Sequence, residues 1–321
     1  MPRRSSGMTD RVENLPGRTA GGRRTKRGRP RESEVRALIS LLADDEERIF
    51  GMVQENLLRL GEGALPLLAE ASEDPDPRLR LRARHVAAQI HRGRLEQSFR
   101  DQARQPDGEF DLEEGLVAVA RIEYPELERE EIAVQLEELA DRLRLRLPSE
   151  GNARQKVAAL NEFLFRDLGF RGNRQDYSDP DNSFLNKVLE RRLGIPISLS
   201  ALTILIGRRA GLPLFGVGLP KHFLVKYRDG GSEIYIDPFS RGRILSRREC
   251  SEILTSEGYF VRESFMADYL AVSTARDIII RMLRNLMLVY SRRKNRLRVK
   301  RLTRYVDILG MRDAPGRTSA R

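Results

Sequence analysis

The sequence predicts an α+β protein in which helices pack on a small antiparallel sheet. Apolar residues recur at three- and four-residue spacing over residues 35–97, 111–147 and 152–170, which is the pattern of helices with one buried face. From Phe215 to Asp237, short runs that alternate apolar and polar residues are separated by glycines, as in antiparallel strands joined by tight turns. We therefore expect helical segments both before and after the sheet along the chain.

The composition excludes several classes of protein. The 321 residues are enough for a sizeable core and for more than one domain. No apolar run approaches the length of about 18 residues that a membrane span needs, and the N-terminus lacks the apolar segment of a secretory signal. Cys250 is the one cysteine, which excludes an internal disulfide and a multi-cysteine metal site and favours a reducing, cytoplasmic location.

Nothing in the sequence predicts a cofactor or a bound metal. The loop RGNRQDYSDPDN and the residues after it resemble a calcium-binding loop, because Asp179, Asp181 and Ser183 alternate. However, Phe184 occupies the sixth position, where the sharp turn of such a loop requires glycine. We interpret the segment as a turn in which Asn182 or Ser183 caps the following helix.

The positive charge lies at the two ends of the chain. The net charge is +11, of which residues 1–34 carry +6 and residues 290–321 carry +9, so the remainder is mildly acidic. We expect residues 1–34 to form a disordered basic tail. It contains a short stretch that resembles the core of an AT-hook: Arg27, Gly28, Arg29 and Pro30. Such a stretch would give weak nucleic-acid binding in the minor groove, although a solvated tail explains the same residues.

Residues 35–100 are predicted to form a HEAT-like helical region. The segment LGEGALPLLAEASEDPDPRLRLRARHVAAQI resembles a HEAT-type repeat, with a turn proline and an Asp-Pro loop. One or two such units cannot form a long solenoid, so we expect them to pack against the next domain along the chain. The other predicted segments are a central domain over 108–262, C-terminal helices over 263–311 and a second basic tail over 312–321.

The stretch KHFLVKYRDGGSEIYIDPF predicts a hairpin with a histidine near one end and an aspartate near the other. A turn at Asp229–Gly230, a preferred two-residue type, pairs apolar residues with each other and a lysine with a glutamate. The same register places His222 directly opposite Asp237, with Cβ atoms roughly 5 Å apart. An aspartate beside a histidine fixes the imidazole tautomer and favours its charged form, as in a nucleophile–His–Asp site. A purely structural hydrogen bond is the alternative interpretation.

The order of these elements resembles the transglutaminase-like superfamily, and in particular its bacterial SirB-type branch. The similarity lies in DLEEGLVAVARIEYPELE, in FLFRDLGFRGNRQDYSDPDNSFLNKVLERRLGIPISLSALTILIGRRAGLPLFGVGLPKHFLVKY and in YIDPFSRGRILSRREC, and it covers roughly residues 110–310. The resemblance implies a papain/transglutaminase-like core, in which a cysteine at a helix start works with a histidine and an aspartate on the following strands. His222 and Asp237 match the positions of that histidine and that aspartate.

The resemblance places the nucleophile at Pro196, or two residues on at Ser198, and neither is a cysteine. Pro196 suits the first position of a helix that runs to about Ala210, but proline offers no nucleophile. The SirB-type branch generally shares this departure. Ser198 or Ser200 in the first turns of the helix could replace the thiol, as could Cys250 from the segment after the hairpin. A serine at the third position of a helix more often satisfies local backbone groups.

Residues Ala275–Tyr290 and Leu297–Leu309 are predicted to form a helical hairpin. It resembles the tetratricopeptide unit that closes SirB-type proteins, and it is rich in arginine. We expect a buried stripe on its first helix, made of Ile278, Met282, Leu286 and Val289. The arginine-rich face is either a solvated surface or a site for an acidic partner.

These observations favour a non-catalytic, cytoplasmic protein that binds a protein or peptide in the former active-site cleft or on the flanking helices. A second hypothesis is an acyl-transfer enzyme, a peptidase or an amidase, that uses a serine or cysteine with His222 and Asp237. A third is a nucleic-acid-associated protein that works through its basic ends.

Overall fold

The computed structural model describes residues 32–256, 259 and 266–311. The AT-hook-like stretch from Arg27 to Pro30 and the second basic tail therefore lie outside the described residues. The first helix, α1, begins at Glu32 and so includes the last residues of the segment that we predicted to be a tail.

The chain divides into two compact units, Met1–Ala87 and Ala88–Arg321. The described part of the first unit is helical, with α1 (Glu32–Ser40), α2 (Glu47–Leu60), α3 (Leu65–Ala71) and the start of α4 (Pro77–Ala103). Its buried side chains include Val35, Ile39, Leu42, Val53, Leu57 and Leu68. Whether this unit is a HEAT-like repeat stays a prediction.

The second unit combines helices with a small sheet, which confirms the predicted α+β class. After α4, its helices are α5 (Leu112–Ala120), α6 (Arg129–Arg144), α7 (Ala153–Asn161), α8 (Leu185–Arg191), α9 (Pro196–Arg209), α10 (Arg247–Ser256), α11 (Met266–Tyr269), α12 (Ala275–Arg292) and α13 (Arg296–Gly310). Its strands are β1 (Arg171–Gly172), β2 (Leu193–Gly194), β3 (Leu214–Leu219), β4 (His222–Asp229), β5 (Ser232–Asp237), β6 (Arg243–Leu245) and β7 (Val272–Ser273).

Strands β3 to β7 form an antiparallel sheet in the order β6-β5-β4-β3-β7, whereas β1 and β2 form a short parallel pair. Helix α9 packs on one face of the larger sheet, and every residue from Pro196 to Gly207 is buried. A helix that is apolar all round has to lie inside the core, since none of its faces is suited to water. The opposite face of the sheet covers a smaller cluster that includes Leu224, Tyr235 and Cys250.

The turn of the β4–β5 hairpin lies one residue further along than we predicted. Gly230 and Gly231 form it, with φ of +52° and +95°, and Asp229 instead pairs with Ser232. Both central positions of this turn type need positive φ, which glycine adopts without a steric penalty. Asp229 then remains in the strand, where its carboxylate accepts a hydrogen bond of 3.1 Å from the Tyr227 hydroxyl.

The predicted register of the hairpin is consequently wrong by two residues. Val225 pairs with Ile236 rather than with Ile234. Because side chains alternate with a period of two, this shift leaves every residue on its predicted face. His222 and Asp237 are therefore diagonal neighbours on one face of the sheet, not directly opposed residues.

Helices α12 and α13 belong to the same hydrophobic core as α9, and their bounds agree with the predicted hairpin. Ile278, Met282 and Leu286 are buried as predicted, while Val289 is partly exposed. Arg276 fixes the start of α12: its Nε donates to Asp107 Oδ1 at 2.6 Å and its Nη atoms donate to three backbone carbonyls. No helix in the described residues is long and apolar enough to cross a bilayer.

Candidate functional site

The structure brings His222 and Asp237 together at one end of the β4–β5 hairpin. His222 Nε2 lies 3.1 Å from Asp237 Oδ2, and the two side chains are 16% and 7% exposed. The other carboxylate oxygen accepts backbone N–H bonds from Phe239 at 3.0 Å and from Ser240 at 3.2 Å. Because the aspartate caps this turn, its position is fixed independently of the histidine.

The environment of Asp237 favours its charged form. Burial by itself raises the pKa of the carboxyl, but the hydrogen bond and charge of His222 and the bonds from Ser240 outweigh it, so the pKa is held below its ordinary value. Because Nε2 faces the carboxylate, Nδ1 is the ring nitrogen of His222 that is left to bond another group.

An aromatic cluster packs beside the imidazole. The Phe239 ring meets that of His222 edge-on at 6.4 Å and that of Tyr177 at 6.0 Å, and the guanidinium of Arg174 lies 5.0 Å from its centroid. A Cβ at Gly172 would collide with the Phe239 ring, so glycine in β1 is what allows the ring to take this place. The cluster limits how far the imidazole can turn.

His222 lines a cavity of about 380 Å³, which we name the histidine cleft. Its walls, in chain order, are Tyr177, Ser178, Asp179 and Ser183 from a loop, Ile195, Pro196 and Ile197 at the start of α9, Lys221, His222 and Phe223 at the start of β4, and Arg281, Asn285, Leu288, Val289 and Arg292 on α12. A volume of this size accommodates a few side chains of a peptide or a small organic molecule.

The residues considered as nucleophiles are not arranged for that role. Pro196 lines the cleft at the helix start, together with Ile195 and Ile197, and none of the three carries a nucleophile. Ser198 is buried: its hydroxyl donates to Asn182 O at 2.6 Å and accepts from Ile195 N at 3.0 Å, which makes it a cap of α9. Ser200 is also buried and donates to Phe223 O at 3.3 Å. Within the described residues, no hydroxyl or thiol forms a hydrogen bond with His222.

Cys250 is not positioned for nucleophilic chemistry either. It is fully buried in the smaller apolar cluster. Burial, with smaller contributions from the negative charges of Glu249 and Asp237, raises the pKa of its thiol to about 11. The thiol is therefore neutral and unreactive near pH 7.

Sequence reasoning missed the part of the cleft that α12 supplies. Arg281 Nη2 donates to the carbonyls of Leu219 and, at 2.7 Å, of His222, and its guanidinium lies over the Phe223 ring. Arg281 and His222 are 59 residues apart, so no local pattern connects them. The loop residues Tyr177, Ser178 and Ser183 were missed for the same reason.

The cleft has a positive electrostatic character. Arg281 and Arg292 both line it. Burial lowers the pKa of Arg281, and the charge of Tyr177 only partly offsets this effect. Arg292 donates to Ser178 Oγ at 3.4 Å. Lys221 adds a third cationic side chain, while Asp179 is paired with Arg191 at 2.7 Å. No cluster of acidic, histidine or cysteine side chains in the described ranges is suited to hold a metal ion.

Residues 130–284 match the model of the transglutaminase-like superfamily. This chain carries a transglutaminase-like superfamily domain. The match confirms the resemblance found in the sequence, and it includes α9, both strands of the hairpin and the first half of α12. The histidine cleft thus occupies the transglutaminase-like domain together with the remainder of α12.

Several proteins are similar to part of this chain. The UPF0162 protein of Xylella fastidiosa strain 9a5c is 39% identical over 175 residues, which are 54% of this chain and 62% of that protein. The Vibrio cholerae UPF0162 protein is 34% identical over 145 residues, 44% of this chain and 53% of that protein. Human F-box only protein 21 is 36% identical over 141 residues, 41% of this chain and 21% of that protein.

The chain therefore spans less than two thirds of the length of these relatives. The similarity to UPF0162 proteins agrees with the SirB-type branch that the sequence suggested. No solved structure matches the chain.

The Asp237→Asn variant tests the electrostatics of the pair. We expect it to lower the free energy of unfolding at pH 7 by about 1–2 kcal/mol, because a charge-assisted bond to the imidazole is lost while the amide oxygen can still cap the turn. The folded-state pKa of Asp237 is depressed, so its contribution is present above the ordinary value of 3.8 and is lost as the pH falls through the folded value.

Urea denaturation of the wild type and of Asp237→Asn between pH 3 and pH 7 measures this difference. The stability gap should close at the acidic end. A gap that stays constant across the range would mean that the carboxylate charge contributes nothing.

Proposed function

We propose that the transglutaminase-like domain binds a polypeptide segment in the histidine cleft and does not catalyse its cleavage or transfer. One observation supports this most. His222 and Asp237 lie side by side, but the helix start has Pro196 where an acyl-transfer site needs a nucleophile. The imidazole can still donate or accept a hydrogen bond, so the pair serves as a polar anchor in the cleft. We also propose that the protein works in the cytoplasm.

The chemistry of the walls indicates which segment would fit. Lys221, Arg281 and Arg292 make the cleft cationic, whereas the carboxylate of Asp179 is neutralised by an arginine. Leu288, which is 62% exposed, adds an apolar contact on the α12 side. A segment that carries acidic residues next to an apolar one complements both features.

Binding of a fluorescein-labelled peptide of alternating glutamate and leucine, followed by anisotropy, tests this proposal. We expect it to bind more tightly than a lysine–leucine peptide, and more weakly as salt is added. Arg292→Gln should weaken binding roughly threefold, because a partly screened ion pair is lost. Arg284→Gln is a matched control, since Arg284 is an exposed arginine on the same helix that does not line the cleft.

Equal binding of the two peptides would contradict the proposal, as would equal effects of the two substitutions. His222→Ala should also weaken binding of the glutamate–leucine peptide if the imidazole forms a hydrogen bond with it. If it does not, the ligand lies elsewhere in the cleft.

A serine-dependent acyl-transfer enzyme is a second candidate, because Ser178 and Ser183 line the cleft that contains His222. In the described part of the chain, neither hydroxyl forms a hydrogen bond with His222, which is why we place this candidate second. Serine- and thiol-directed acylating probes should leave the wild-type protein unlabelled. Specific labelling that disappears in His222→Ala would replace our proposal with this one.

A further inference from the structure

A second cavity lies in the same unit, away from the histidine cleft. It measures about 140 Å³, and we name it the arginine pocket because α4 supplies Arg92, the end of α5 supplies Arg121, and α13 supplies Arg298 and Arg301. His91 also lines it. Guanidinium and imidazole groups from three helices thus converge on a space that is only large enough for a small group.

Some of these side chains are paired with protein carboxylates. His91 Nε2 lies 2.8 Å from Glu126, and Arg298 is paired with Glu123. Arg121 Nη atoms lie 3.6 Å from Glu128 and 3.9 Å from Glu114. These pairs compensate the charges of Arg121 and Arg298.

Arg92 and Arg301 are different. Within the part of the chain that the structure describes, neither side chain has an ion pair or a hydrogen bond, although both are partly buried. Burial and the positive charge of Arg301 both lower the pKa of Arg92, and they lower that of Arg298 as well. Two uncompensated guanidinium groups that repel each other across a cavity are stabilised when an anion lies between them.

The rest of the pocket is preformed. Leu95 and Ile122 supply an apolar base, and the buried Tyr305 ring is held against Phe99 at a centroid distance of 4.7 Å. Arg92 and Arg301 project from long helices rather than from loops, so little order has to be gained when a ligand binds.

We propose that the arginine pocket binds the phosphate group of a small molecule, either as free phosphate or as a phosphomonoester. Guanidinium groups bind phosphate through paired N–H···O bonds, and a dianion matches the two uncompensated charges. The volume admits a phosphate with a small substituent but not a nucleotide or a peptide. The site shares no residue with the histidine cleft, so it stands whether or not the peptide proposal is correct.

Titration calorimetry of the full chain with inorganic phosphate, at constant ionic strength, tests the site. We expect phosphate to bind and acetate to bind at least fivefold more weakly, because a carboxylate carries one charge. Arg301→Gln should weaken phosphate binding at least fivefold, and Arg301→Lys by less. Lys300→Gln removes the same charge from the neighbouring, exposed position of α13 and should leave the affinity unchanged.

Glycerol phosphate serves as the ester probe: tighter binding than free phosphate would identify a phosphomonoester as the natural ligand, and weaker binding would identify free phosphate. Arg92→Gln is a second variant on a different helix, in case Arg301→Gln does not fold. Equal losses in Lys300→Gln and Arg301→Gln would reduce the effect to net charge and overturn the proposal. Unchanged affinity in both arginine variants, or no phosphate binding by the wild type, would do the same.

Discussion

Replacing Arg276 with alanine is expected to lower the free energy of unfolding by about 3 kcal/mol. The Arg276 side chain is 7% exposed and contacts Asp107 through its Nε. It also donates to the carbonyls of Ala103, Gln105 and Leu309, which belong to the ends of α4 and α13 and to the segment between α4 and α5. Truncation therefore leaves three carbonyls and one carboxylate without this donor; the bond to the Leu309 carbonyl is buried and the other three are partly buried.

The size of the effect depends on the exposure of the partners. Breaking a buried ion pair costs about 3–5 kcal/mol, and Asp107 is 38% exposed, so part of its charge is solvated and the lower end applies. Urea denaturation of the full chain measures the loss of unfolding free energy in Arg276→Ala. Arg284→Ala, an exposed arginine on the same helix, should change the stability by less than about 0.5 kcal/mol. A loss below about 1 kcal/mol in Arg276→Ala would show that this network is not a major tie between the helices.

Introducing a thiol at the helix start is expected to create a reactive cysteine. In Pro196→Cys, the helix N-terminus and the imidazole of His222 both favour the thiolate, which brings a thiol pKa from about 8.5 to about 7. At pH 6 this raises the thiolate fraction roughly thirtyfold. The lower basicity of such a thiolate reduces its intrinsic reactivity by a factor of roughly five, so alkylation should be about five- to eightfold faster than that of a free cysteine.

Alkylation with iodoacetamide at pH 6, followed by mass spectrometry, measures the rate. The wild type is a clean background, because Cys250 is buried and its thiol pKa is about 11. Ser198→Cys is a positional control, since that side chain is directed to Asn182 O rather than to the cleft and should react slowly. Removing His222 in the Pro196→Cys background should slow the reaction. Alkylation of Pro196→Cys no faster than that of a free cysteine would contradict the predicted geometry.

Much of the fold could be predicted from local sequence patterns. Proline at the first position of α9 and glycine just beyond its end give the bounds of that helix, and the period of apolar residues gives those of α12 and α13. The shared face of His222 and Asp237 was also predictable, since it depends only on whether their separation from the turn is odd or even.

The hairpin register could not be determined in the same way. The sequence Asp-Gly-Gly offers two adjacent two-residue turns, and both place the apolar residues on the same face of the ribbon. They differ in turn geometry and in the Tyr227–Asp229 hydrogen bond, which are small and local energies. A pattern of apolar residues cannot distinguish two registers that it satisfies equally well.

The long-range contacts of the structure could not be predicted, for a different reason. Ser198 caps α9 through Asn182, 16 residues away, and Arg276 reaches Asp107 across 169 residues. Such contacts arise from tertiary packing, and a single sequence contains no periodicity that reports them. The role of Ser198 as a cap was nonetheless available as an alternative, because the third residue of a helix commonly satisfies backbone groups at its start.

Helix α12 has a consequence for how ligand preference can change. It contributes Arg281, Asn285, Leu288 and Arg292 to the histidine cleft, yet it comes after the strands that hold the imidazole and the carboxylate. Under the proposed binding of a peptide in the cleft, substitutions on this single helix would alter which peptide is bound while His222 and Asp237 are left intact. Exchanging α12 alone would then change the ligand preference of the domain, because the strands that carry His222 and Asp237 would stay the same.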